Sequence, residues 1–156
     1  MLSTITESFF GSVALVRHPE EDEKRWLTLW NERRGQHEMI AANRLEQESF
    51  RECLDREIAW QLDLRRGKDY IISSMARLHI EQELELPGDS VAQPYIIEFF
   101  VTDPYGKTAN AALEEQSNTR WLKATEILDG KTETGEPVDP RLVYLLDRFE
   151  LISRHA

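Results

Sequence analysis

Apolar and polar positions alternate through the first part of the chain. FFGSVALVRH (Phe9–His18) is rich in β-formers and stops at the charged, proline-containing PEEDEK, which predicts a strand and a turn. RWLTLWNER (Arg25–Arg33) sets Trp26, Thr28 and Trp30 against Leu27 and Leu29, the period of a second strand. The two read as a hairpin or as neighbouring strands. GQHEMIAANRLEQ (Gly35–Gln47) has weak periodicity and reads as a short strand followed by a loop. From Glu48 to Leu62 the period changes. Phe50, Leu54, Ile58 and Leu62 recur every fourth position, the buried stripe of a helix. Arg65-Arg66-Gly67-Lys68 then closes the segment with basic residues and a glycine.

The second half reads in the same way. DYIISSMARLHIEQELEL (Asp69–Leu86) predicts one long strand or two short ones. PYIIEFFVTD (Pro94–Asp103) is apolar on both faces, which places it at the centre of a sheet. DPYGK is a turn signal, and the polar Asn110–Thr119 reads as a loop or a single turn. RWLKATEIL predicts a strand passing into a short helix. Asp139 can cap a last helix with Pro140 at its first position, burying Leu142, Val143, Leu145, Leu146 and Phe149. No repeat, low-complexity tract or linker divides this order. It predicts a single domain over residues 1–156, an α+β fold with a mixed sheet and helices packed on it.

Composition narrows the function. With 156 residues the chain can bury a core without disulfides, and one cysteine, Cys53, excludes an internal disulfide and a Cys-rich zinc site. A formal charge of −10 argues against a nucleic-acid polymer or an anionic membrane as the main partner, though not against a small phosphorylated ligand in a local basic pocket. MLSTITESFF lacks the basic start and apolar run of a secretory leader, and no run is long enough to span a bilayer, so a cytoplasmic setting is expected. His18, His37, His79 and His155 have no metal-ligand spacing and read as surface or packing residues. Arg65, Arg66 and Lys68 form the densest basic patch, most simply the normal cationic end of a helix.

One residue does not fit its helix. At about 100° per residue, Glu57 falls within roughly 40° of Phe50 and Cys53, inside the apolar arc, and Trp60 and Gln61 cluster with it at i+3 and i+4. A charge there is costly unless it is paired or metal-bound. Pairing with an arginine is the plain reading; a remnant of a cation site is the sharper one. Glu52 and Asp55 point about 120° or more away and read as surface charge.

The spacing around Glu57 resembles the signature of the Nudix hydrolase superfamily. That signature is a Gly, five residues, Glu, seven residues, Arg-Glu-aliphatic, one residue, Glu-Glu, one residue, Gly and an aliphatic. Glu48, Arg56, Glu57, Ile58 and the final Leu64 match it, and the order of elements from Ser12 to Phe149 matches too. The opening Gly-Gly falls on Ala41-Ala42, the Glu-Glu pair on Trp60-Gln61, and the closing Gly on Asp63. The resemblance implies an α/β/α sandwich in which helix carboxylates hold Mg²⁺ or Mn²⁺ for attack of water on a diphosphate. It also implies that Arg56 orients Glu48, and that dimers are common. Loss of two acidic positions implies weak metal binding with Glu57 as the remaining ligand.

Three readings follow. The first is a degenerate domain that binds a nucleotide-like or phosphorylated ligand, or a partner, with little or no hydrolysis. Glu48, Arg56 and Glu57 then carry the old catalytic positions. The second is an active hydrolase of a nucleoside-diphosphate-linked compound that recruits Glu98, or Glu114 and Glu115, beside Glu57. The plain alternatives are that Glu98 pairs with Lys or Arg and that the other two are solvated. The third is an unrelated α+β protein. Trp60 either fills the vacated cation cavity or stacks on a bound ring, with Gln61, Glu98 and Glu115 as further substrate-binding candidates.

Overall fold

A computed structural model describes residues 4–155 of the chain. The reading of the first ten residues as lacking a leader rests partly on Met1–Ser3, which lie outside the described residues. In chain order the elements are β1 (Phe10–His18), β2 (Asp22–Asn31), β3 (Gln36–Glu38), β4 (Ala41–Asn43), α1 (Phe50–Leu62), β5 (Tyr70–Ile72), β6 (Leu78–Leu84) and β7 (Gln93–Pro104). They continue with α2 (Gly106–Glu115), β8 (Thr119–Lys123), α3 (Ala124–Asp129) and α4 (Pro140–Arg148).

The strands form one mixed sheet in which β3, β2, β1, β7 and β5 are successive neighbours. β4 also pairs with β1, β6 with β7 and β8 with β2. Among the described strands only β1 and β7 run parallel, from Phe10 opposite Ile96 to Val16 opposite Thr102. Parallel neighbours need a crossover, and α1 is the helix that the chain lays over the sheet between them. The alternation in β1 then builds both layers. Val13 and Leu15 face a core shared with Ile127 of α3 and Leu142, Leu145 and Leu146 of α4. Ala14 and Val16 face a second core with Leu54, Ile58 and Leu62 of α1 and Leu113 of α2. The result is the α/β/α arrangement, and β7 is central as its two apolar faces require. Among the described residues no helix is long and apolar enough to cross a membrane.

Two segments differ from expectation. Gly35–Gln47 contains two short strands rather than one, because Met39, Ile40, Ala41 and Ala42 are all buried and β4 finds a partner in β1. Asn110–Thr119 is not a loop: most of it belongs to α2, whose Ala109 and Leu113 turn inward at i, i+4. Tyr105 offers no side-chain cap to that helix, so the sequence carries no start signal for it. In α4, Leu142, Leu145 and Leu146 are buried, while Val143 and Phe149 are only partly so.

Asp139 caps α4 as expected, its side chain accepting from the Arg141 N–H. Burial, with the nearby Glu38 charge adding to it, pushes the Asp139 carboxyl up to about 6. The folded chain therefore holds this proton more tightly than the unfolded chain, and stability falls as pH rises from about 4 toward 6. Asn caps helices as well as Asp does without the buried charge. Asp139→Asn is expected to stabilise the fold at neutral pH by on the order of 2 kcal/mol, with the gain vanishing below about pH 4. Urea unfolding across that pH range measures it; a gain that persists at low pH refutes the cause.

Candidate functional site

The site grows out of the first and last turns of α1. Ser49 accepts from the Glu52 N–H while Glu52 accepts from the Ser49 N–H, a reciprocal cap that fixes where the helix starts. Glu52 is thus a capping residue rather than mere surface charge. Asp55 is likewise engaged, by the Tyr70 hydroxyl and by Arg66 at 3.1 Å. At the other end Asp63 takes the left-handed conformation, φ 53° and ψ 46°, and closes the helix. That role falls to Asp63 and not to Gly67, because Asp tolerates this conformation better than most side chains. The basic run beyond it is spent locally, Arg66 on Asp55 and Arg65 on Asp69 at 3.0 Å.

Between these caps Arg56 gathers the surviving signature residues. Its Nε donates to Glu48 Oε2 at 2.9 Å and its Nη2 to Glu48 Oε1 at 3.1 Å, a two-pronged pair. Nη2 also reaches the Asn43 carbonyl at 3.0 Å, and Nη1 donates to Glu57 Oε2 at 2.9 Å. The Arg56 hydrogen bonds hold the Glu48 carboxyl below its ordinary range. Glu57 is only 5% exposed, so it lies in the buried arc as its spacing requires. Its second oxygen, Oε1, accepts from the Gln61 amide at 3.0 Å. A carboxylate only accepts, so the Gln61 oxygen must point away from it. Trp60 is 62% exposed and fills no cavity, which corrects the expectation of apolar bulk in a vacated cation site.

The other acids lie apart. Glu98 faces His79 across the β6–β7 ladder and pairs with its Nδ1 at 2.8 Å, where Lys or Arg was expected. That pairing, followed by the one to Glu81, raises the His79 pKa. Glu114 and Glu115 end α2 and are exposed, and Glu114 borders a separate recess with His18 and Trp121. Gln116, which sequence reasoning passed over, donates its amide to the Leu62 carbonyl and docks the α2–β8 connection onto the end of α1. Among the described residues no three His, Cys, Asp or Glu side chains gather as a cation-holding group.

By sequence, neither a family model nor a curated protein matches the chain. Solved structures do match it in shape. A C. elegans Ap4A hydrolase shares 11% identity over 94% of this chain and 98% of its own, with a TM-score of 0.55. A Nudix hydrolase from M. smegmatis, RenU, shares 12% over 94% and 87%, with a TM-score of 0.54. A mutT/nudix family protein from Listeria innocua shares 13% over 94% of each chain, with a TM-score of 0.53. The chain has the Nudix fold.

Nudix hydrolases use Mg²⁺ or Mn²⁺, and the residues here do not fit such an ion. Magnesium needs hard anionic oxygens in an octahedral set. On α1 the buried carboxylate of Glu57 already accepts N–H groups on both oxygens, Glu48 is bound by Arg56, and Trp60 supplies no ligand. The Gln61 oxygen is neutral and turned away. What Arg56 and Gln61 achieve is the neutralisation of a buried acid by protein donors. Removing Arg56 leaves Glu57 without its cation and Glu48 without its clamp. Arg56→Ala is expected to cost about 2 kcal/mol in urea unfolding, less than a fully buried pair because Arg56 is partly solvated. Arg56→Lys should recover only part, lacking the fork. Glu48 binds its proton more weakly when folded, so its share is complete above 4.5 and fades as pH falls below that. A neutral effect of Arg56→Ala at pH 7 would refute the brace.

Proposed function

We propose that this Nudix-fold domain binds a phosphorylated, nucleotide-like ligand without metal-dependent cleavage of a diphosphate. The observation that carries the proposal is the state of Glu57, whose two oxygens accept from Arg56 and Gln61. A dianionic diphosphate needs cations to offset the charge that shifts as its bond breaks. One neutralised carboxylate does not recruit a divalent ion for that task. The ligand class is supported by the fold, which is also that of a protein named an Ap4A hydrolase. The exposed Trp60 beside the box adds a flat surface on which a ring can stack.

Calorimetry with Mg²⁺ and Mn²⁺ at millimolar concentration is expected to give no saturable binding to the wild-type chain. The double variant Trp60→Glu, Gln61→Glu restores the acidic positions. It should gain stoichiometric metal binding, and should unfold more easily in chelator than with metal present, because added carboxylates beside Glu57 repel it until a cation joins them. Metal-dependent release of phosphate or a mononucleotide from a panel of diphosphates, abolished by Glu57→Gln, would instead establish an active hydrolase drawing acids from outside the box.

A further inference from the structure

A groove of about 530 Å³ opens beside the first turn of α1, away from Glu57 and Gln61. Arg44, Phe50, Arg51, Met75, His79 and Glu98 line it. Its charge is out of keeping with a chain of net −10. Several arginines elsewhere are paired with carboxylates, as at Arg17, Arg34, Arg56, Arg65, Arg77 and Arg141. Among the described residues neither Arg44 nor Arg51 has a carboxylate within ion-pair distance.

Arg44 is held by aromatic faces. Its guanidinium carbon lies 5.5 Å from the ring centres of both Phe10 and Phe50. Those rings meet edge to face at 5.5 Å, so they form a fixed seat. Stacking orients the guanidinium without consuming its N–H donors. Arg51 gives Nε to the Ser73 carbonyl at 3.2 Å and Nη2 to the Ile72 carbonyl at 2.9 Å. That fixes its head at the groove and leaves Nη1 over. Opposite, Glu98 is engaged by His79 Nδ1 at 2.8 Å, and the other ring nitrogen of His79 meets Glu81 at 3.2 Å. The Ser49–Glu52 cap already occupies its share of the helix end, so the positive character comes from the two arginine side chains. The apolar wall is Phe50, Ala76, Phe100 and Met75, and Met75 is 79% exposed. A flexible thioether left facing solvent is an adaptable surface for a ring.

We propose that this groove binds a phosphate monoester bearing a flat ring, with the phosphate met by Arg44 and Arg51 and the ring laid against Phe50 and Met75. Its volume lies in the range of roughly 300–1,000 Å³ that small-molecule sites occupy. The proposal rests on reading the chain as a ligand-binding domain, but not on the state of the metal positions. It therefore fails or stands separately from them.

AMP, adenosine and inorganic phosphate serve as probes for calorimetry and for NMR of the arginine Nε–H groups. AMP should bind most tightly, adenosine least, and the Arg44 and Arg51 signals should shift with AMP. Arg51→Ala and Arg44→Ala should each weaken AMP about ten- to hundredfold, the cost of losing a charged donor. Arg44→Lys should recover only part, since a lysine lacks the fork. Met75→Asp keeps the fold question out of the test, because that side chain is exposed. It should also weaken AMP while thermal unfolding stays unchanged. AMP affinity untouched by Arg51→Ala and Met75→Asp, or adenosine binding as well as AMP, overturns the proposal. Saturable Mg²⁺ binding without AMP would count only against the loss of the metal site.

Discussion

The guanidinium of Arg56 holds together what the rest of this site depends on. It binds Glu48 through two prongs, Glu57 through a third N–H, and the carbonyl of Asn43 at the end of β4. One side chain thus ties the β4–α1 connection to the second turn of the helix. Without it the segment from Asn43 to Ser49 would keep the Ser49–Glu52 cap, the Leu45 N–H bond to Glu48 and the Arg44 N–H bond to the Phe10 carbonyl, but lose its link to Glu57. The brace does two jobs that are separable in principle. It sets the path of the loop into α1, and it offsets a carboxylate buried among Leu54, Ile58 and Cys53. In a low-dielectric setting the second is a strict requirement, since a buried charge without a partner destabilises by several kcal/mol.

The positions that fall on the glycines of the resembling signature are filled by other residues. A left-handed residue is still needed to end α1, and Asp63 supplies it. At the opening positions, Ala41 and Ala42 are ordinary strand residues paired with Val13 and Ser12. The close backbone approach has its small residue on the other strand. A Cβ on Gly11 would lie 1.9 Å from the Ala42 carbonyl oxygen, so the glycine that this crossing demands belongs to β1. The close approach is thus met by a small residue on β1, while Trp60 and Gln61 stand where the resembling signature has its Glu-Glu pair.

Periodicity made most of the fold legible in the sequence. β1, β2, β7 and α1 carry unambiguous patterns, and Asp139-Pro140 announced α4. The losses have local causes. β4 is three residues long, too short to show a period, and α2 starts at Tyr105 and Gly106 with no capping side chain. At the site, the spacing put Glu57 in the apolar arc, and the Nudix resemblance implied that Arg56 orients Glu48; the buried Glu57 and the Arg56–Glu48 bonds agree with both. Sequence gave no means of seeing that Gln61 would turn its amide, rather than its oxygen, toward Glu57. It likewise could not show Trp60 in solvent, Glu98 on His79, or Arg44 stacked on two rings, since each depends on elements brought together only by the sheet.

The orientation of Gln61 follows from Arg56 and in turn bears on the box as a whole. Arg56 donates to one oxygen of Glu57, Oε2, and the other, Oε1, accepts from the Gln61 amide. A glutamate at position 61 could not donate, and would bring a second negative charge into the same arc, tolerable only with a cation between the two. A glutamine removes that charge and supplies the missing N–H at 3.0 Å. Gln61 thus does more than leave out a carboxylate, because its amide occupies one acceptor position of Glu57 Oε1. A metal arriving at Glu57 would have to displace a formed hydrogen bond as well as shed its own water, with a single carboxylate to compensate. An acid at position 61 would add negative charge beside the buried Glu57, whereas one at position 60 would face solvent as Trp60 does, so position 61 decides how strongly a cation is needed.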